Sequence, residues 1–146
     1  MKILSTASEC VPFCKTGGLA DVVGALAPVL VKKGHDVRVM VPLYSMIPHE
    51  YVSQMKHVID FEVELGWRKQ YCGIEALEKD GVTYYFIDNK YYFGRSYIYG
   101  ECNNEEGERF AFFSKAALDA LRHLNFYPDV LHAHDWQAAM TIALLR

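Results

Sequence analysis

One hundred and forty-six residues suffice for one domain with a real hydrophobic core. With 51% hydrophobic and 23% charged residues the balance is that of an ordinary globular protein, and a net charge of −3 without any Lys/Arg run argues against nucleic acid as the main partner. No apolar stretch is long enough to span a membrane, and Ile3-Leu4 is too short for the core of a secretion signal, so no membrane partner is expected.

Lys2 to Thr6 predicts a first strand, with Ile3 and Leu4 entering a buried sheet. Next comes Lys15-Thr16-Gly17-Gly18-Leu19-Ala20-Asp21-Val22, a lysine beside two glycines at the start of a helix. Such a turn directs a positive charge and backbone N–H groups at one point, the chemistry of phosphate binding; glycines that merely fit the bend are the alternative. The run lacks the Gly-Lys-Ser/Thr of a P-loop and the glycine spacing of the dinucleotide fingerprint. Gly17 and Gly18 let the backbone approach a ligand closely. Asp21 either accepts from a sugar hydroxyl or complements the helix dipole.

Leu19 to Lys33 predicts a helix whose apolar stripe is Leu19, Val22, Val23, Leu26 and Leu30, bent or loosened at Pro28 and closed by Gly34. Asp36 to Val41 predicts the second strand, ended by Pro42 and parallel to the first through a right-handed crossover. Ile59, Phe61, Val63 and Leu65 alternate with acidic residues, the period of a half-buried strand. Tyr71 to Leu77 and Val82 to Ile87 predict two more strands, joined by an Asp80-Gly81 hairpin turn, so an antiparallel insertion in a parallel sheet is expected. Tyr84 and Tyr85 read as core or half-core.

Residues 88 to 108 predict a polar, aromatic loop, longer than most structural connections and therefore a functional candidate. Asn89 to Gly100 sets Arg95 among four tyrosines, which suits sugar faces and phosphate, or simple surface packing. A helix from near Glu105 carries Phe110, Phe113, Ala117, Leu118 and Leu121. After Pro128, Asp129 to Ala133 predicts a strand with Val130 and Leu131 buried, and Trp136 to Arg146 a last helix. That helix reaches the end of the sequence with no cap and no following strand, so the chain reads as the front part of a longer protein, or as ending in a helix that frays. Cys10, Cys14, Cys72 and Cys102 have no CxxC pairing and read as reduced thiols of a cytosolic protein, Cys10 and Cys14 able to face one another across the loop.

His132-Ala133-His134-Asp135-Trp136 puts two histidines on one side of a strand, at the carboxyl edge where α/β sheets bind ligands. A His-x-His pair also suits a metal, but only ten residues follow Trp136 to supply further ligands, so no metal is expected. His134 taken singly reads as a core histidine, and its place at the sheet edge favours a ligand role.

Together these motifs resemble the bacterial glycogen synthase and plant starch synthase family. The resemblance rests on Ser8 to Val22, Pro42-Leu43-Tyr44, Tyr92-Phe93-Gly94-Arg95 and His132 to Gln137, in that order, and spans the chain. It implies an α/β fold, a Rossmann-like parallel sheet with an antiparallel hairpin insertion, forming part of the N-terminal domain of a two-domain GT-B glycosyltransferase. Residues 1–146 are then an incomplete acceptor-side domain without the C-terminal nucleotide-binding domain that activity requires. The implied reaction transfers glucose from ADP-glucose to the non-reducing end of an α-1,4-glucan with retention, without metal or cofactor, in the cytoplasm or a plastid stroma. It assigns Lys15, Gly18 and His134 to the donor, with Lys15 and His134 catalytic, Gly17 to the turn, and Asp21, Tyr92 and Arg95 to donor or acceptor contacts. A UDP-glucose-dependent transferase, a glucan- or nucleotide-sugar-binding module and a His132–His134 metal hydrolase are the competing readings.

Overall fold

The computed structural model describes residues 1–101 and 103–145; Cys102 and Arg146 lie outside the described residues. Strand β1 (Lys2–Thr6) takes the predicted bounds and sits inside the sheet, where Leu4, Ser5 and Thr6 are all buried. Helix α1 (Gly18–Lys32) follows, and β2 (Asp36–Pro42) pairs with β1 in parallel, Lys2 opposite Asp36. Two short turns of chain and helix α2 (His49–Val52) then lead to the antiparallel run β3 (Lys56–Leu65), β4 (Arg68–Lys79) and β5 (Val82–Asp88).

Two tight turns make that run. Asp80 and Gly81 both adopt positive φ between the paired residues Lys79 and Val82, as the Asp-Gly signal predicts. Gly66 and Trp67 form the second, between Leu65 and Arg68, with only Gly66 at positive φ. The hairpin strands do not interrupt the parallel strands. They extend one edge of a six-stranded sheet of order β3-β4-β5-β2-β1-β6, where β6 (Val130–Ala133) closes the other edge against β1.

Helix α3 (Lys90–Phe93) and helix α4 (Asn104–His123) lie between β5 and β6. The predicted loop of residues 88 to 108 is therefore shorter than its composition implies. Asn89 caps α3 by accepting from Tyr92 N–H, and Asn103 caps α4 by accepting from Glu106 N–H. Crossovers β1–α1–β2 and β5–α4–β6 run in opposite directions along the sheet, so the right-handed rule puts α1 and α4 on opposite faces.

Three expectations are corrected. Val22 is 56% exposed, because the buried face of α1 is Ala20, Val23 and Ala27 at helical spacing and Val22 falls outside it. Pro28 lies inside α1, as expected, and the helix continues to Lys32 before Gly34 turns the chain at φ +90°. Val130 is 40% exposed, since β6 is an edge strand paired on one side. The last helix is a 3-10 turn (Trp136–Ala138) followed by α5 (Ala139–Ala143), because Asp135 at φ 64° forces a tight start. Tyr84 and Tyr85 are buried as expected.

Candidate functional site

The switch point of the sheet lies between β1 and β6, where successive parallel strands step away in opposite directions. In an open α/β sheet the loops leaving the carboxyl ends of two such strands diverge to opposite faces, and the crevice between them is the usual ligand position. The loop of residues 7–17 and the turn of residues 134–138 flank it, so the two motifs singled out in the sequence meet at one place.

The first loop is closed by paired backbone bonds. Cys10 N–H donates to Cys14 C=O and Cys14 N–H to Cys10 C=O, both at 3.0 Å, with both thiols buried and unbonded to each other. Burial pushes both thiols up to about 12, which keeps them protonated and unreactive. Val11 N–H donates to Ala20 C=O, fastening the loop to the first turn of α1.

Gly17 and Gly18 do not present two free amides to a ligand. The buried carboxylate of Glu9 already sits at the start of α1. Its Oε2 accepts from Thr16 N–H at 3.0 Å and Thr16 Oγ1–H at 2.6 Å, and its Oε1 from Gly17 N–H at 3.3 Å and Ala20 N–H at 3.2 Å. Gly18 N–H has no protein acceptor among the described residues, and a side chain at Gly18 would meet nothing within 4 Å. Of the two glycine amides, the one at Gly18 is therefore the one left for a ligand. Glu9 went unremarked in the sequence; the signal for it is a carboxylate in an otherwise small or apolar run, Thr6 to Cys10, that continues a buried strand.

Lys15 and Asp21 meet directly. Nζ donates to both carboxylate oxygens, at 2.7 and 2.9 Å, with the side chains 50% and 55% exposed. An ion pair this exposed is worth about 0–1 kcal/mol, so a phosphate can displace Asp21 from Lys15 at little cost.

His134 N–H donates to Thr6 C=O at 2.9 Å, which extends the β1–β6 ladder by one bond and seats the imidazole at the crevice. The ring is buried and stacks near His132, their centroids 4.0 Å apart. Its Nε2 is buried with no partner among the described residues. Burial, and then repulsion from His132, lowers its pKa from 6.5 to about 4, so it is a neutral hydrogen-bonding group at physiological pH. Asp135, next in the chain, combines φ 64° with ψ 179°, a region costly for any side chain, and its carboxylate accepts from Trp136 N–H. Strain held at this point fixes the direction of His134.

Tyr92 and Arg95 are not brought to the Lys15 loop. Tyr92 is fully buried, stacked on Phe112, and its hydroxyl donates to Glu108 at 2.7 Å. Arg95 spends its guanidinium within its own loop, donating to Tyr91 C=O and Tyr97 Oη and pairing with Glu105 at 2.5 Å. Both shape the third loop at this edge of the sheet, which follows α3 from Gly94. That loop still reaches the crevice through Tyr99, whose hydroxyl hydrogen-bonds Ser8 Oγ at 2.6 Å. No cluster of metal-binding side chains occurs among the described residues.

Residues 2–146 match the family model of the starch synthase catalytic domain. The chain is 54% identical over its whole length to the glycogen synthase of Anoxybacillus flavithermus, 54% to that of Clostridium novyi and 53% to that of Streptococcus pneumoniae strain 70585, spanning about 30% of the length of each. Among solved structures it resembles the catalytic domain of starch synthase IV from Arabidopsis thaliana bound to ADP and acarbose, with a TM-score of 0.88 and 32% identity over 97% of this chain and 29% of that one. The six-stranded α/β sheet matches the GT-B starch synthase catalytic domain, and the chain belongs to that family.

Proposed function

We propose that these 146 residues provide the Lys15 loop and His134 of a glycogen synthase, which transfers glucose from ADP-glucose to the non-reducing end of an α-1,4-glucan with retention. The observation that carries the reading is the meeting of the Lys15 loop and the unpartnered His134 imidazole on adjacent strands at the switch point. The Arabidopsis neighbour, bound to ADP and acarbose, supports an adenine donor and a glucan acceptor.

In this reading catalysis is chiefly electrostatic. Lys15 leaves Asp21 and, with Gly18 N–H, stabilises the negative charge that grows on the departing diphosphate. Neutral His134 orients the transferred glucose through Nε2 and does not shuttle protons. The bond from glucose C1 to the diphosphate oxygen breaks as a bond from C1 to the acceptor oxygen forms on the same face, and the acceptor proton passes to the leaving phosphate. Gly17 shapes the turn, Asp21 parks Lys15, and Tyr92 and Arg95 hold the third loop in place. Sequence that the relatives carry outside the matched region, about 70% of their length, supplies the remaining donor contacts, so the 146 residues alone give no turnover.

Glucose incorporation into glycogen from ADP-glucose tests this. The 146 residues are assayed alone and fused in register to the remainder of the Anoxybacillus flavithermus enzyme. Activity only in the fusion, reduced about a hundredfold or more by Lys15→Ala, is expected. Glucan binding without transfer in the fusion would favour a binding module instead.

A further inference from the structure

We infer that Glu9 is the positioning residue of the donor loop and sets the enzyme's affinity for ADP-glucose without touching it. This rests on the transferase reading above. Glu9 accepts from Thr16, the residue next to Lys15, and from Gly17 and Ala20, which bracket Gly18. Gly18 therefore hangs between anchors on a single buried carboxylate, and Lys15 lies one residue before the first of them. A main-chain turn with two adjacent glycines has many accessible conformations. Four bonds to one charged acceptor select one of them, and such bonds are about twice as strong as neutral ones.

The charge matters as well as the geometry. The first turn of a helix carries roughly half a positive charge, which an anion there satisfies. In this chain the anion is the protein's own. The donor diphosphate is thereby kept off the Gly17 and Ala20 amides. It is held to the side, on Lys15 and the free Gly18 N–H, where the neutral imidazole of His134 stands across the crevice. Glu9 thus excludes an unproductive anion position while it shapes the productive one.

Glu9→Gln preserves size but removes the charge and turns one acceptor oxygen into an NH2 group facing N–H donors. In the fusion enzyme, KM for ADP-glucose should rise by about ten- to a hundredfold while KM for glycogen stays within about twofold. A merely structural role would lower the active fraction, hence kcat, and leave both KM values alone. Thr16→Val removes only the 2.6 Å hydroxyl bond and should move KM for ADP-glucose the same way by a smaller factor, which keeps the test decisive if Glu9→Gln folds poorly. An unchanged or lowered KM for ADP-glucose in both variants, with the parent fusion active, overturns the role of Glu9 alone. A parent fusion that never transfers glucose overturns the transferase reading and this inference with it.

Discussion

His134 is the residue whose environment makes the sharpest demand. Its imidazole is seated by a backbone bond to Thr6, buried beside His132, and left with an unpartnered Nε2. A folded-state pKa of about 4 against an ordinary 6.5 means that the unfolded chain binds the extra proton first as pH falls. The neutral ring's contribution to stability is complete above pH 6.5 and is lost as pH falls toward 4. Between pH 7.5 and 4.5 the loss is about 2–3 kcal/mol, at roughly 1.4 kcal/mol per pKa unit. Urea unfolding of the wild-type chain and of His134→Asn at both pH values should show a smaller acid loss in the variant by that amount. The His134 ring signal should titrate near 4 in NMR spectra, and His132→Ala should raise that midpoint by removing the neighbouring charge. Parallel pH dependence in wild type and His134→Asn would remove the case for a desolvated imidazole.

Between elements, α1 comes close to the loop that precedes it at Gly24. A Cβ at Gly24 would strike the Val11 side chain and lie 2.7 Å from the Val11 carbonyl oxygen. Alanine gains about 1 kcal/mol in helix propensity over glycine, yet Gly24→Ala must push α1 from the loop, and overpacking of this kind costs about 1–3 kcal/mol. Net destabilisation by Gly24→Ala in urea, against stabilisation at the open, helical Gly107→Ala, is the expected contrast. Period and turn chemistry made the elements legible: β1 and the Asp80-Gly81 hairpin fall where the residues put them, because alternation and positive φ are local properties. What could not be read locally is what an element packs against. Val22 and Val130 are apolar, and their exposure follows from the orientation of α1 and from β6 lying at an edge. The same holds at the site. Lys15, Gly18 and His134 lie on the loops that leave the carboxyl ends of β1 and β6, a position that follows from the local strand-loop-helix pattern, whereas Tyr92, Arg95 and the Gly17 amide are taken up by partners distant in sequence or unforeseen, Glu108, Glu105 and Glu9.

Across the whole molecule, the loops at the carboxyl edge of the sheet form one bonded network. Tyr44 Oη–H donates to Ser8 C=O, Ser8 bonds Tyr99, and Ser45 donates from N–H and Oγ–H to Phe93 and Arg95 carbonyls. Arg109, fully buried on α4, anchors the third loop: Nε donates to Tyr92 C=O, Nη1 to Ile98 C=O and to Glu106 at 2.6 Å. Glu106 in turn accepts from Gly100 N–H at 2.8 Å. Breaking a buried pair from one side strands a charge and costs about 3–5 kcal/mol, whereas replacing both partners by apolar residues is often neutral. Glu106→Leu alone should therefore lower stability by about 3 kcal/mol or more, and adding Arg109→Met should restore a good part of it. The loop should not recover with the stability, because the Tyr92 and Ile98 carbonyls and the Gly100 N–H have lost their partners. Hydrogen exchange at Gly100 should stay fast in the double variant even as its urea midpoint returns. Recovery of both together would mean that packing on Phe93 and Phe110, and not this ion pair, holds the loop that reaches Ser8 and the crevice.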